Sequence, residues 1–283
     1  PAKIAGCKDI ILCTPTNKQG EVAPAVLYAA KLCGVTQIFK IGGAAAIGAM
    51  AYGTQSIPQV HKIFGPGNRY VTKAKEIVSN SVAIDMPAGP SEVMVIADNS
   101  AKAEFVASDL LSQAEHGADS QVVLVCNNKE FAEKVKYAVA KQLETLERKE
   151  LAQKALQQSS IVILEKTEEQ IEFANTYAPE HLIISTQNPW EIADKITAAG
   201  SIFIGNYTPE SAGDYASGTN HTLPTAGWAK SFSGVNIDSF TRKITYQQIT
   251  TEGLGKLGPI IIEMAQAEGL QAHANAVKIR INN

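Results

Sequence analysis

Residues 93–126 read VMVIADNSAKAEFVASDLLSQAEHGADSQVVLVC and contain one complete strand–helix–strand repeat. The two ends, residues 93–97 and 121–126, are apolar runs of strand length, and residues 101–115 between them have apolar side chains at helical spacing. A helix that joins two strands returns the chain to the same edge of the sheet, so the strands run parallel. The stretch therefore predicts an α/β fold with helices covering a parallel sheet.

Strand-like runs alternate with helical segments along most of the remaining chain. This alternation predicts two open parallel-sheet domains, buried on both faces, and a helical C-terminal tail. The other predicted strands are residues 9–14, 37–41, 61–64, 82–85, 159–164, 181–185 and 201–204. The other predicted helices are residues 21–32, 44–50, 69–79, 129–147, 167–177, 190–198, 257–267 and 269–278.

A Pro-Ala-Gly-Pro break at residues 87–90 separates two series of this alternation, and we expect a domain boundary there. A Gly/Ser/Thr-rich run from 205 to 234 predicts a long loop, and residues 243–250 predict one more strand. Ligands of open parallel sheets bind at the carboxyl ends of the strands, which is where we expect the site. The expected domains are residues 1–90, 91–235 and 236–283.

The bulk composition excludes several classes of protein. Of the 283 residues, 45% are apolar and 19% charged, which is typical of a globular chain. A net charge of −3 without a basic block argues against nucleic acid as a partner, and no apolar run reaches the roughly 18 residues of a membrane span. The four cysteines form no C-x-x-C pair, which favours buried free thiols in the cytoplasm.

Two glycine-rich turns follow predicted strands, at residues 42–43 and 65–68. Free backbone N–H groups at the start of a helix suit a phosphate, so both turns are candidate nucleotide contacts. Neither turn has the G-x-G-x-x-G spacing of a dinucleotide-binding fingerprint. The alternative is that these glycines only allow the chain to turn tightly.

Gln113 and His116 lie near the end of a predicted helix, and their i, i+3 spacing puts both on one helical face. Imidazole is a common metal ligand and an amide oxygen a weaker one, so the two residues are a candidate metal site. The alternative is an ordinary helix end, where Gly117 stops the helix and His116 interacts favourably with the helix dipole.

Glu180 and His181 join a predicted helix to a predicted strand and are candidate acid/base partners. Adjacent strand residues point to opposite faces, so a shared site requires an irregular turn, and a solvated junction is the alternative. Asp214 lies in a loop of small residues that suits either function or ordinary turn chemistry. By pattern alone, His61 is interpreted as structural and His273 as an ordinary helix residue.

Four longer motifs point to one family. They are ASDLLSQAEHG at residues 107–117, YAPEHL at 177–182, SAGDYASGTNHTLP at 211–224 and EGLQAHANAV at 268–277. In their order and spacing, from Pro1 to the C-terminus, the chain resembles the histidinol dehydrogenase family. Its members are zinc- and NAD-dependent enzymes that oxidise L-histidinol to L-histidine. The resemblance implies two incomplete Rossmann-like, doubly wound parallel-sheet domains with a helical C-terminal tail.

The resemblance also implies a role for each candidate residue. One Zn²⁺ per subunit would be held by Gln113, His116 and Asp214, together with the partner subunit's His273 in a homodimer. Glu180 and His181 would be the acid/base pair of the reaction. The substrate contacts would be Ser91, Gln113, His116, His181, Asp214, Glu268 and His273. NAD would be contacted at Asn68 and at position 45.

Two departures from the family pattern bear on activity. Ala45 stands where the family commonly has a Gln that touches NAD, so we expect weaker or differently arranged cofactor binding. The chain also lacks a counterpart of the family's N-terminal portion, which supplies part of the zinc-site domain and an aromatic contact to NAD. We therefore expect the 283-residue chain alone to turn over histidinol poorly or not at all.

Two other functions remain open from the residues themselves. A metal beside Glu180 and His181 would also suit hydrolysis of an amide or ester, with the metal activating water. A folded fragment that only binds metal or imidazole ligands is the non-enzymatic alternative. Multiple-turnover reduction of NAD by histidinol separates the oxidoreductase from both.

Overall fold

The computed structural model describes residues 1–87 and 89–282. The chain forms two compact units, residues 1–241 and the segment from Arg242 onward. Residue 88, in the predicted Pro-rich break, lies outside the described residues. The boundaries expected after residues 90 and 235 stay predictions.

Strands and helices alternate along the first unit, and two helices follow in the second. The strands are β1 Ile11–Cys13, β2 Gln37–Phe39, β3 Lys62–Ile63, β4 Ala83–Ile84, β5 Glu92–Ala97, β6 Gln121–Cys126, β7 Ser160–Ile163, β8 His181–Ser185 and β9 Ser201–Ile204. The helices are α1 Pro24–Cys33, α2 Gly43–Tyr52, α3 Arg69–Val78, α4 Ala103–Ala114, α5 Lys129–Leu143, α6 Lys149–Gln157, α7 Thr167–Tyr177, α8 Pro189–Ala193, α9 Glu210–Tyr215, α10 Thr251–Ala267 and α11 Gln271–Ile281.

The main sheet has five parallel strands in the order β7-β6-β5-β8-β9. The chain first winds outward from β5 to β7 and then crosses to the other side for β8 and β9, which is the doubly wound pattern of a Rossmann-like domain. The predicted fold class is confirmed in this sheet. Since β5 and β8 are neighbours in which Val93 pairs with His181, their first residues lie side by side.

Central strand β5 is buried along its whole length because helices cover both faces of the sheet. Val93, Val95 and Ala97 belong to an apolar core that includes side chains of α4, α5 and α6. Met94 and Ile96 belong to a second core on the other face, with side chains of α7 and α8. Each such fully buried side chain contributes about 1.5–3 kcal/mol, so the sheet is a rigid support for residues at its edges.

Two smaller parallel pairs, β1–β2 and β3–β4, precede the main sheet. Helices α2 and α3 pack on β3 and β4 around a third core that includes Ile47, Ile63 and Val82. Helix α1 ends at Gly34, as predicted, with the left-handed backbone (φ 79°) that glycine adopts without strain.

Several sequence predictions differ from the structure. The helix predicted over residues 190–198 ends at Ala193, and the one predicted from residue 257 begins at Thr251. The helix predicted over residues 129–147 ends at Leu143, and α6 follows it without having been predicted. The long loop after residue 205 contains the unpredicted helix α9. The strand predicted over residues 243–250 is wrong, because this stretch is exposed and irregular and its alternating apolar side chains face no core.

The second unit consists mainly of α10 and α11, which pack against each other. Gly258 lies against the side chains of Ile281 and Val277, so a larger residue there would have to displace the end of Ile281. Across the described residues, no helix has the length and apolarity needed to cross a membrane.

The four cysteine thiols are free, as predicted. Their predicted burial holds only for Cys126, since Cys33 is exposed on α1 and the other two are half-buried.

Candidate active site

A cluster of buried ionisable side chains lies at the amino ends of β5 and β8, and not at the carboxyl ends where the site was expected. Glu92 is the first residue of β5, His181 is the first residue of β8, and Glu180 directly precedes it. The carboxyl-end rule reflects the helix N-termini that meet at that edge. Here the neighbouring polar groups come instead from the last turn of α4 and from α9.

The backbone of Glu92 holds the predicted acid/base pair in place. Its N–H donates to Oε2 of Glu180 over 2.9 Å, and its carbonyl oxygen lies 3.0 Å from Nδ1 of His181. The Glu180 carboxylate is also 3.5 Å from Nδ1 of His181. The irregular turn that a shared site requires is present, since Ala178 adopts a left-handed backbone (φ 56°) between α7 and β8.

One ring nitrogen of His181 has a hydrogen-bond partner and the other has none among the described residues. Because the partner of Nδ1 is a carbonyl oxygen, Nδ1 carries the proton in the neutral ring and donates it to Glu92. Nε2 is then a lone pair; it is buried, has no hydrogen-bond partner among the described residues, and lies 3.9 Å from Oδ1 of Asp214. A buried nitrogen without a hydrogen-bond partner can accept a proton from a bound molecule.

Neighbouring charges set the basicity of His181. Burial lowers the pKa of the ring, but the carboxylates of Glu180 and Glu210 outweigh it and raise the pKa to about 9. Burial raises the pKa of Glu210 to about 7 against the opposing effect of His181, and burial also raises the pKa of Glu92 to about 7. Glu210 and Glu92 therefore exchange protons near neutral pH, whereas His181 does so at higher pH.

Glu210 is a site residue that the sequence did not single out. It starts α9 and is only 1% exposed. Its Oε1 accepts a hydrogen bond from Ser112 over 2.7 Å, and its Oε2 lies 3.9 Å from Nδ1 of His181. Pro209 before it marks the start of a helix, but no local pattern shows that this helix turns its first side chain into the protein.

Gln113 is completely enclosed beside Glu210. With its amide nitrogen toward Glu210, it donates to the two carboxylate oxygens over 2.8 and 3.1 Å. In this orientation the amide oxygen, and not the nitrogen, is the atom that could bind a cation. Asp214 lies one turn after Glu210 on α9 and is also 4.0 Å from Nδ1 of His221.

The remaining predicted ligands, His116 and His273, lie on exposed parts of their own elements. His116 is exposed just beyond the end of α4, and its backbone N–H donates to the carbonyl oxygen of Gln113, as at an ordinary helix end. His273 is an exposed residue of α11 in the second unit. In the part of the chain that the structure describes, no three His, Cys, Asp or Glu side chains form a ready metal site.

Two predicted substrate contacts lie at element ends. Ser91 directly precedes β5, half-buried, beside Glu92. Glu268 ends α10 and is exposed. Glu92 itself was not predicted as a site residue: Oε1 accepts the Ala226 N–H over 3.0 Å, and Oε2 is buried without a hydrogen-bond partner among the described residues.

The predicted nucleotide contacts lie in the part of the first unit before β5. Asn68 caps α3, where its side-chain oxygen accepts the N–H groups of Tyr70 and Val71 over 3.0 and 3.2 Å. This turn is exposed at Asn68. Ala45 lies in the first turn of α2, also exposed, and presents only a methyl group.

Comparisons with known proteins agree on one family. A family model described as histidinol dehydrogenase matches residues 1–281. The chain is 59% identical to a histidinol dehydrogenase of Bacteroides fragilis strain YCH46, with 99% of this chain and 66% of the relative covered. It is 53% identical to a histidinol dehydrogenase of Pseudoalteromonas translucida, with 99% and 65% covered.

A solved structure gives the same result in three dimensions. The crystal structure of histidinol dehydrogenase from Elizabethkingia anophelis superposes with a TM-score of 0.97 at 56% sequence identity. The match covers 100% of this chain and 65% of that one. The chain thus spans just under two thirds of the length of these relatives.

Proposed function

The chain belongs to the histidinol dehydrogenase family, and we propose that it forms the larger part of an enzyme that oxidises L-histidinol to L-histidine with NAD. The reaction consists of two successive hydride transfers from one carbon, from alcohol to aldehyde and from aldehyde to acid. Each step requires a proton acceptor beside the carbon that loses the hydride. The buried, uncommitted Nε2 of His181 is the observation that carries this proposal.

In the first step His181, in the neutral form that predominates above its pKa of about 9, accepts the hydroxyl proton of histidinol at Nε2 while hydride leaves for NAD. The Glu92 carbonyl fixes the ring through Nδ1, so Nε2 needs no reorientation to act. The imidazolium that forms is stabilised by the carboxylates of Glu180 and Glu210, which lie 3.5 and 3.9 Å from Nδ1.

In the second step the aldehyde must be hydrated before hydride can leave again. Glu180 is the proposed base for that water. One of its oxygens is held by the Glu92 N–H, and the carboxylate is only 6% exposed, so it acts within a nearly dry site. Low exposure strengthens its interaction with any proton donor that the substrate or water brings.

The donor chemistry of the site fits a zinc ion. Nitrogen and oxygen donors without thiolates are a common zinc set, and with its nitrogen bonded to Glu210 the amide of Gln113 would offer its oxygen to the ion. Gln113, His116 and Asp214 would hold one ion per subunit with the partner subunit's His273. Zinc has no redox chemistry of its own and would orient the substrate, whose further contacts would be Ser91 and Glu268.

NAD would lie against the turn that ends at Asn68. The side chain of Asn68 already caps α3, so this residue would position the N–H groups of the helix start as well as touch the cofactor. Ala45 offers no polar side-chain atom, and we expect cofactor affinity to depend more on the turn at residues 65–68.

The deciding experiment measures NADH formation from histidinol by the chain extended with the portion that its relatives carry. Multiple turnovers, with two NADH for each histidine formed, would support the proposal. If metal is bound but NAD is not reduced, the protein is a hydrolase or a ligand-binding remnant, and the assignment of the reaction is wrong.

A further inference from the structure

Two opposite charges are buried beside the turn at residues 65–68. Lys75 lies on α3 and Asp85 directly follows β4, and their side chains are 4% and 1% exposed. The Lys75 ammonium forms an ion pair with Oδ1 of Asp85. Taking two charges out of water costs several kcal/mol each, and the ion pair offsets this cost only when its remaining hydrogen bonds are satisfied.

Two of those remaining hydrogen bonds are made with the backbone of one residue, Gly65. Its N–H donates to Oδ2 of Asp85 over 2.8 Å, and its carbonyl oxygen accepts a hydrogen bond from Nζ of Lys75 over 3.0 Å. Asp85 also accepts the N–H of Met86 over 2.8 Å. The ion pair therefore makes hydrogen bonds with both the N–H and the carbonyl oxygen of Gly65, the first residue of the turn.

The backbone of Gly65 requires such support. Its φ of 133° is one that side-chain-bearing residues rarely adopt, and no side chain of its own anchors it. The other end of the turn is fixed by the Asn68 cap and by Gly67, where a Cβ would collide with Val71. The turn is thus held at both ends, and its middle faces outward with exposed Pro66 and Gly67.

We propose that Lys75 and Asp85 are positioning residues for the dinucleotide, holding the turn in its binding conformation before NAD arrives. This inference rests on the proposed cofactor contact at Asn68. An ordered turn loses less conformational entropy on binding than a mobile one, so the ion pair increases cofactor affinity without touching the cofactor. The ion pair makes no contact with Glu180, His181 or Glu210, so it does not act on the proton transfers.

The test replaces the charges by apolar groups of similar size, Lys75→Met with Asp85→Leu, in the chain extended to the length of its relatives. Apolar replacement of a buried ion pair is often neutral for stability, which separates folding from positioning. The matched control is Glu76→Gln, which removes the exposed Lys73–Glu76 ion pair on the same helix. NAD dissociation constants come from calorimetry, and KM and kcat from steady-state assays.

We expect the double variant to raise the NAD dissociation constant and KM about tenfold or more, with the histidinol KM and kcat at saturating NAD within about twofold of the parent. The control should match the parent. An unchanged NAD dissociation constant, or an equal loss in kcat and in binding of both substrates, would overturn the inference. If the double variant does not fold, Asp85→Asn decides by the same criteria, because it keeps an oxygen for Gly65 and removes the charge.

Failure of this inference is distinguishable from failure of the proposed function. If the unmodified protein binds no NAD, the proposed function itself fails. If it binds NAD and the variants bind equally well, only the role of the ion pair is wrong.

Discussion

The carboxylate of Glu210 reaches within 3.9 Å of Nδ1 of His181 while donating groups of Ser112 and Gln113 occupy its oxygens. One buried side chain therefore touches both the proposed base and a proposed zinc ligand. Groups that orient metal ligands in this way tune the ion as well as the geometry.

Glu210→Gln should lower zinc affinity by about 10–100-fold, because a neutral amide holds the Gln113 amide less firmly. The charge that stabilises protonated His181 would also be lost, so the acidic limb of the pH–rate profile should move to lower pH. Metal-competition titration and the pH dependence of kcat/KM measure the two effects. Ser112→Ala, which removes only one bond to Glu210, is the matched control, and equal zinc affinity in both variants would contradict the assignment.

Glu180→Gln should slow oxidation of supplied histidinaldehyde far more than the first hydride transfer from histidinol. The amide keeps the size of the carboxylate but loses its basicity, and general base catalysis contributes roughly 10²–10⁴ in rate. His181→Asn should instead slow the alcohol step strongly. Single-turnover NADH formation from each substrate separates the steps, and equal slowing of both by Glu180→Gln would make Glu180 an electrostatic element and not the water base.

A mixture of two inactive variants should regain activity if the site is shared between subunits. His273→Ala and His116→Ala each remove one proposed zinc ligand, and a heterodimer of the two would contain one intact site. NADH formation after subunit exchange, with exchange verified by mass spectrometry of the dimers, measures the recovery. A mixture as inactive as its parents, once exchange is shown, would speak against a ligand donated across the interface.

Asp109→Asn should make the metal-free protein more stable at pH 8 relative to its parent than at pH 5. Burial raises the pKa of Asp109 to about 7 from its ordinary value of 3.8, so the folded state binds a proton that the unfolded state has released. The stability contributed by that proton is present at low pH and is lost as the pH rises from 3.8 through about 7. Urea unfolding at the two pH values checks the sign.

Much of the main sheet could be predicted because its signals are local. The bounds of β6, β8 and α7 match the predicted ones, since each is an apolar or periodic run between strong breakers. Helix α9 was predicted as loop because its Gly and Ser residues have weak helical preference, which tertiary contacts such as the Ser112–Glu210 hydrogen bond override. Sequence alone does not show such tertiary contacts.

The site was predictable only in part for the same reason. Glu180 and His181 were predicted as an acid/base pair and lie close together in the structure. Their common orientation depends on the left-handed backbone at Ala178, which is a non-glycine residue with no local signal for that conformation. Glu92 was not predicted as a site residue, because it begins an apolar strand whose neighbouring residues predict only burial.

Helix α9 has only six residues, and it carries Glu210 and Asp214 a single turn apart. If this short helix rotated by a few degrees, both carboxylates would move together. Glu210 would change its distance from the imidazole of His181, and Asp214 its distance from the proposed metal site. If the proposed zinc site exists, its occupancy and the basicity of His181 would then depend on the same small movement of α9. By thermodynamic reciprocity, protonation of His181 must shift metal affinity by the same factor with which the metal shifts protonation.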